Sequence, residues 1–265
     1  MCGNSRNWAI KGVRSAIANS CSKLCSALLL GGGILCAILT STSLQAETIE
    51  VLTYEESPFA VKVGKTHHGL LVDMLKEMFS RTSLDYSLRF IPLKRAIITT
   101  ERTPGYCVLP VARSQERESH FRWISPVLVS RYGLFSRSNQ TIPLTSLSDA
   151  KSYKIGSFLG SGVGEYLIDL GYDVELASVS AQNLRKLKRA RIDLWAAELV
   201  SAQEQMQKQA INFGVPELIF YTSLRAMACN KEIPSDQTLA LENALKSMYR
   251  DGYMSRLYLE YGVKI

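Results

Sequence analysis

The sequence predicts an α/β protein of two lobes with a cleft between them. Three observations carry this. Strands alternate with helical stretches along the chain after residue 46, the pattern of sheets covered by helices. Two β-rich runs without a helix, residues 127–135 and 224–229, read as crossings from one lobe to the other. With 46% hydrophobic residues, 265 residues can build two modest cores. The crossings divide the chain into a discontinuous first lobe, residues 47–132 and 224–265, and a continuous second lobe, residues 133–223.

The first 46 residues read as an address. A basic, polar opening precedes an apolar run from Leu24 to Leu39 that contains three successive glycines, and Leu44-Gln-Ala46 offers a small residue before Glu47. The pattern is that of a secretory signal peptide cut after Ala46. An uncleaved membrane anchor is the rival reading, because the run approaches spanning length. A lipid-modified Cys36 fits less well, since Ile34 and Leu35 precede it where a small residue is usual. Four of the 31 basic residues and none of the 24 acids fall in this segment, so the formal charge of +7 drops to +3 over the remainder. So small an excess argues against a nucleic-acid partner, which requires clustered phosphate neutralisation. The densest basic run, Arg185-Lys-Leu-Lys-Arg-Ala-Arg191, alternates with Leu184 and Leu187 at helical spacing and reads as a solvated helix face.

Of the six cysteines, only Cys107 and Cys229 lie beyond residue 46. Two residues are compatible with one disulfide in an oxidising compartment or with two buried thiols in adjacent strands. No metal framework can be built from them. His67 and His68 are adjacent and would diverge on a helix, so they read as a polar loop pair.

The remaining elements follow in order. Ile49-Glu-Val-Leu-Thr53 alternates as a first strand, and Tyr54-Glu-Glu-Ser-Pro-Phe59 turns the chain. Residues 69–79 place Leu70, Leu71, Met74, Leu75, Met78 and Phe79 on one stripe of a helix that packs on the sheet. Residues 86–90 give a second strand, and Pro92 opens a helix at its favoured early position. Residues 153–156 form a strand, and the glycine-rich stretch from Phe158 to Gly164 enters a helix reaching Leu170. Amide groups at such a helix start favour an anion. The glycine spacing is not that of a nucleotide-binding loop. Leu184 and Leu187 belong to a helix ending near Ala190, and Ile192-Asp-Leu-Trp-Ala-Ala-Glu198 is a buried strand that ends in an acid. Residues 217–221 and 224–229 give the last two strands, and helices over residues 236–249 and 252–261 close the chain.

The most informative stretch is Leu109-Pro-Val-Ala-Arg-Ser-Gln-Glu-Arg-Glu, a β run leading into a polar elbow centred on Arg117. An arginine directly after a buried strand presents a planar fork of donors to a carboxylate at a cleft mouth. The rival is a surface arginine pairing with Glu116 or Glu118. The elbow, with Phe121 and Pro126 beyond it, resembles the Thr-Pro-Glu-Arg-Glu…Phe…Pro signature of the periplasmic substrate-binding proteins of polar amino-acid uptake, solute-binding protein family 3. The resemblance runs along nearly all of the chain after residue 46.

What the resemblance implies can be placed residue by residue. It implies the type II periplasmic-binding-protein-like fold, with the ligand cleft between lobes joined by two crossing strands. In that family the arginine at the position of Arg117 holds the ligand's α-carboxylate, and the Ser/Thr five residues earlier is Ala112 here. The Gly-Thr-Thr segment of the second lobe corresponds to Ser161 and Gly162. The acid that accepts the ligand's ammonium falls on Glu198, which could equally cap the following helix. The first ligand-contacting loop carries Tyr54, Glu55 and Glu56, of which Tyr54 and Glu56 are assigned to the ligand. Arg95 resembles a Pro-x-x-Arg-Ala pattern of a divergent branch, facing either the cleft or solvent. The implied function is capture of an amino acid or similar small carboxylate-bearing solute in the periplasm and delivery to the permease of an ABC transporter, without cofactor or metal. The alternatives are a ligand-sensing module for a separate signalling partner, or a dehydratase or lytic enzyme on the same fold, with Glu198 as general acid.

Overall fold

The computed structural model describes residues 48–263. The expected signal peptide and its cleavage after Ala46 lie outside the described residues. Among the described residues no helix is long and apolar enough to cross a membrane.

The described residues form ten strands and eight α-helices. β1 (Ile49–Thr53) is followed by a short hairpin, β2 (Val61–Val63) and β3 (Thr66–His68), and by α1 (Leu70–Ser80). The apolar stripe expected on α1 is buried as read, from Leu70 to Phe79. Then come β4 (Tyr86–Phe90), α2 (Leu93–Arg102), β5 (Tyr106–Ala112), the one-turn α3 (Gln115–Glu118) and the long β6 (Arg122–Phe135). A 3-10 turn (Leu147–Ser152) leads into β7 (Ile155–Phe158), α4 (Gly162–Asp169), β8 (Val174–Ala177), α5 (Ala181–Lys188), β9 (Leu194–Glu198) and α6 (Leu199–Lys208). The chain returns on β10 (Leu218–Cys229) and ends in α7 (Ser235–Arg250) and α8 (Tyr253–Glu260).

Eight strands lie in one sheet, in the order β4-β1-β5-β10-β6-β9-β7-β8. β1 pairs in parallel with β4 and β5 at one end of it, and β7 pairs in parallel with β8 and β9 at the other. The two long strands between them are antiparallel and paired from Leu218↔Leu134 to Cys229↔Arg122, with register shifts between Ile219 and Tyr221 and between Arg225 and Met227. Their opposite ends serve different neighbours. Residues 225–229 of β10 pair with β5, whereas residues 132–135 of β6 pair with β9. The result is two lobes joined by two crossing strands.

Four apolar clusters fill the interior. Two are built around the β1–β5 half, one with α1, α7 and α8 and the other with α2. The other two sit around β7 and β9, packed with α4 and with α5 and α6. Cys107 and Cys229 face each other in the β5–β10 register and form a disulfide, so the two possibilities left open by their number resolve to the bonded one. The bridge ties β5 to the far end of β10 across 122 residues of sequence.

Some elements depart from the sequence-based expectation. Residues 217–221 and 224–229 are one strand rather than two, because Thr222 and Ser223 continue the ladder opposite Arg131 and Ser130. β7 starts at Ile155, where pairing with Val174 and Leu194 begins. β8 was not expected, since it is a short edge strand whose residues are mostly half-buried. His67 and His68 lie in the extended hairpin, not in a loop, and the His67 ring stands 4.9 Å from Phe90. Among the described residues, no cluster of three metal-ligating side chains occurs.

Candidate functional site

The candidate site is built where the two halves of the sheet present their loops to each other. Arg117 arrives there because β5 ends at Ala112 and α3 turns the chain back within one turn. Its side chain is only 11% exposed. Nη1 donates to the Ala112 carbonyl at 3.3 Å on its own side, and Nη2 donates to the Gly160 carbonyl at 3.1 Å on the other. Nη2 also pairs with the Glu165 carboxylate, which Lys94 of α2 approaches at 3.8 Å. The fork that the resemblance gives to a ligand carboxylate is thus filled in this structure by protein groups, one of them a carboxylate. Glu116 and Glu118, the surface partners considered from sequence, do not take it, and Glu118 pairs with Arg113 instead.

The glycine loop opposite is held by Ser161. Its hydroxyl donates to the Phe158 carbonyl at 2.6 Å and accepts from the Gly164 N–H at 3.2 Å, capping α4. Gly160 beside it takes a left-handed backbone, φ +83°, close against the start of α2, where a side chain would be strained. Gly162 lies directly against Ala112, and a Cβ there would stand 2.5 Å from the Ala112 methyl. The two positions where the family carries hydroxyls are therefore in mutual contact. Beside them a cavity of about 400 Å³ opens between the elbow, Ser114 to Glu116, and Glu165, Tyr166, Asp169 and Tyr221.

Tyr54, Glu56 and Glu198 form a second group. Tyr54 and Glu56 are 6% and 3% exposed, and the Tyr54 hydroxyl donates to Glu56 Oε2 at 3.1 Å. Both turn towards Arg225 of β10, itself 2% exposed, whose Nη2 donates to Glu56 Oε2 at 2.7 Å and contacts the Tyr54 hydroxyl. The rings of Tyr54 and Phe59 lie over this guanidinium, each 5.9 Å from its centre. Burial opposes the charge on Arg225, but neighbouring Glu56 more than offsets it and keeps the group cationic. Burial also raises the Tyr54 hydroxyl well above its usual range, so it stays protonated.

Glu198 ends β9 opposite Tyr132 and caps α6, accepting the Ser201 N–H at 2.7 Å. Burial pushes its carboxyl up to about 7, the Ser201 N–H pulls it down, and the negative charge of Glu56 pushes it further up. Such a group exchanges a proton near neutrality. A smaller cavity, about 210 Å³, opens between Tyr54 with Phe90 to Leu93 on one side and Phe158 with Ser178 to Ser180 on the other. Arg95 is exposed on α2 and takes no part.

The seven sequence-predicted residues therefore fall into two neighbouring sets. Arg117, Ala112, Ser161 and Gly162 meet at the elbow, and Tyr54 and Glu56 pack on Arg225, whose charge, with that of Glu56, acts on Glu198. Ala112 links the sets, since its carbonyl holds Arg117 and its register partner on β10 is Arg225. Sequence reasoning missed Arg225 and Glu165. The signal for the first was a lone arginine inside the apolar run Leu-Arg-Ala-Met-Ala-Cys, and for the second an acid in the first turn after the glycine loop.

No protein-family model matches the chain, and no curated protein matches it in sequence. Solved structures do match. A histidine kinase sensor domain with similarity to periplasmic binding proteins superposes with a TM-score of 0.74 at 16% identity, over 81% of this chain and 95% of that one. An ancestral arginine-binding protein bound to arginine gives 0.69 at 20% identity, over 81% and 98%. The amino acid ABC transporter substrate-binding protein AbpA from Streptococcus pneumoniae, bound to L-arginine, gives 0.71 at 16% identity, over 82% and 94%. With its crossing strands and paired lobes, the chain has the two-lobed fold of these binding proteins, which it matches at 16–20% sequence identity.

Proposed function

We propose that this chain is an extracytoplasmic solute-binding protein that captures an amino acid or similar small carboxylate-bearing solute by hinge closure and delivers it to the permease of an ABC transporter. Its lobes are residues 47–132 with 224–265, and residues 133–223, hinged where β6 and β10 cross. The observation that carries this reading is the bridge made by Arg117, which holds Ala112 on one side of the seam and Gly160 and Glu165 on the other. Such a bridge forms only when the halves approach, and closing them desolvates the charged groups between, which strengthens every polar contact to a trapped solute. Tyr54, Glu56, Glu198, Ser161, Gly162 and Ala112 line the same seam and are proposed with Arg117 as the binding set. Charge-assisted hydrogen bonds contribute about 1.5–3 kcal/mol each, so a few of them support micromolar capture.

A sensing role for a separate signalling partner is the second reading, favoured by the likeness to a kinase sensor domain. A thermal-shift screen of residues 47–265 against the proteinogenic L-amino acids, small dipeptides and dicarboxylates tests the binding function common to both. At least one compound is expected to raise the melting temperature and to be recovered unchanged from the protein. A compound consumed with formation of product would replace the binder with an enzyme using Glu198 as general acid. Pull-down of a permease or of a sensor kinase by the loaded protein separates transport from sensing.

A further inference from the structure

Where β6 and β10 run together between the lobes, one face of their ladder is left open. Val129 and Leu224 pair across it and are 47% and 51% exposed, and Arg131 pairs with Thr222 two residues further on. Side chains alternate along a strand, so Thr222 and Leu224 point away from Ser223 and Arg225, both of which are buried. The open face is therefore the one opposite the Arg225–Glu56 group. α7 and α8 bring Tyr249 and Tyr258 alongside it, and a cavity of about 540 Å³ opens between strands and helices. Small-molecule sites occupy roughly 300–1,000 Å³ and are mostly apolar, with a few polar groups that orient the occupant.

The walls have that composition. Val129, Val263 and the two tyrosine rings supply apolar surface. The tyrosine hydroxyls lie 3.0 Å from each other and from the Pro126 and Val127 carbonyls, so their hydrogen bonds close within the protein and the rings are left to an occupant. Arg131 is the one charged side chain lining the cavity among the described residues. The guanidiniums of Arg117 and Arg225 are each paired with a carboxylate, of Glu165 and Glu56. That of Arg131 makes no ion pair or hydrogen bond among the described residues, and it stands exposed at the rim of apolar surface. An apolar wall with one cation and no acid selects by charge. A cationic occupant is repelled, and a small polar anion leaves the wall in water. An anionic head on an apolar tail satisfies both.

We propose that this cavity is a second ligand site, built on the strands that join the lobes, for a monoanionic amphiphile of the medium-chain carboxylate type. The head sits on Arg131 and the chain lies along Val129, Tyr249 and Tyr258. The site is independent of the solute-binding reading.

The probe is decanoate, kept below its micelle concentration and titrated by calorimetry into the purified protein, with decyltrimethylammonium as the same chain length under the opposite charge. Wild type is expected to bind one decanoate per chain, and the ammonium compound at least ten-fold more weakly. Arg131→Gln is expected to weaken decanoate about five-fold, the scale of an exposed ion pair, without weakening the ammonium compound. Val129→Glu sets an acid into the apolar wall two residues from Arg131 and is expected to abolish decanoate binding. Both are exposed strand positions, so the melting temperature should stay within a few degrees of wild type, and the comparison of the two probes on wild type needs no variant. Absence of saturable decanoate binding, equal affinity for the two probes, or decanoate binding that both variants leave unchanged each overturns the proposal, the last by moving the anion to another site such as the cleft. Sedimentation of the ligand-free protein tests the rival occupant. A monomer supports the small-molecule site, whereas a dimer that Val129→Glu converts to monomer gives the face to a second copy of the chain and overturns it.

Discussion

Gly162 at the start of α4 rests against the methyl of Ala112 at the end of β5, so closely that a Cβ on the glycine would stand 2.5 Å from it. These residues belong to opposite halves of the sheet, and their contact sets how near the halves can come. Gly162→Ala is therefore expected to hold the seam apart. Small-angle scattering should show a larger radius of gyration than wild type, and affinity for the captured solute should fall at least ten-fold. An unchanged radius and affinity would show that the seam accommodates the methyl elsewhere.

The Arg117–Glu165 pair is the second closing contact. Because Glu165 is 37% exposed, the pair contributes on the order of 1 kcal/mol or less to stability. Glu165→Gln is expected to leave the melting temperature within a few degrees of wild type while shifting the ligand-free protein towards the open form. Hydrogen exchange of the amides of the 158–164 loop should then be faster without solute and equal to wild type with it.

Glu198 gives the protein a pH dependence of defined sign. Its carboxyl titrates near 7 when folded, against 4.5 as the ordinary value, so the folded state holds the proton more tightly than the unfolded one. The resulting stabilisation is complete below pH 4.5, is lost as pH rises through about 7, and amounts to roughly 3 kcal/mol across that window. Glu56 and Arg225 are the charged groups that face it. Denaturant unfolding of Glu198→Gln between pH 5 and 8 is expected to be flatter than that of wild type. An identical slope in both would place the titrating group elsewhere.

The Cys107–Cys229 bridge closes a loop of 122 residues. Its removal in Cys107→Ser/Cys229→Ser is expected to lower stability by about 2–5 kcal/mol. Both positions are fully buried in the core on α1 and α7, at the opposite end of the β5–β10 ladder from the Ala112–Arg225 pair. Solute affinity at a temperature where the variant is folded should therefore stay within about two-fold of wild type.

Much of this architecture is legible in the sequence because local patterns and tertiary demands agree. The stripe from Leu70 to Phe79 is helical by spacing and buried by packing. The run into Glu198 reads as a buried strand and is one, all five of its residues being buried. Failures fall where long-range pairing overrules local signal. Thr222 and Ser223 look like a break, yet the ladder with β6 carries them through as strand. The chemistry of the site divides in the same way. Arg117 stands out at a polar elbow, but its partner Glu165 is 48 residues away and becomes visible only when the halves meet. Arg225 reads as a blemish in an apolar strand until Tyr54 and Glu56, some 170 residues earlier, close around it.

The most direct measurement is small-angle scattering of residues 47–265 with and without the L-amino acid that most raises the melting temperature. The account predicts a fraction of open molecules without solute and a smaller radius of gyration when solute saturates the protein. Tight binding with identical scattering in both states, over a protein already fully closed, would contradict capture by hinge closure.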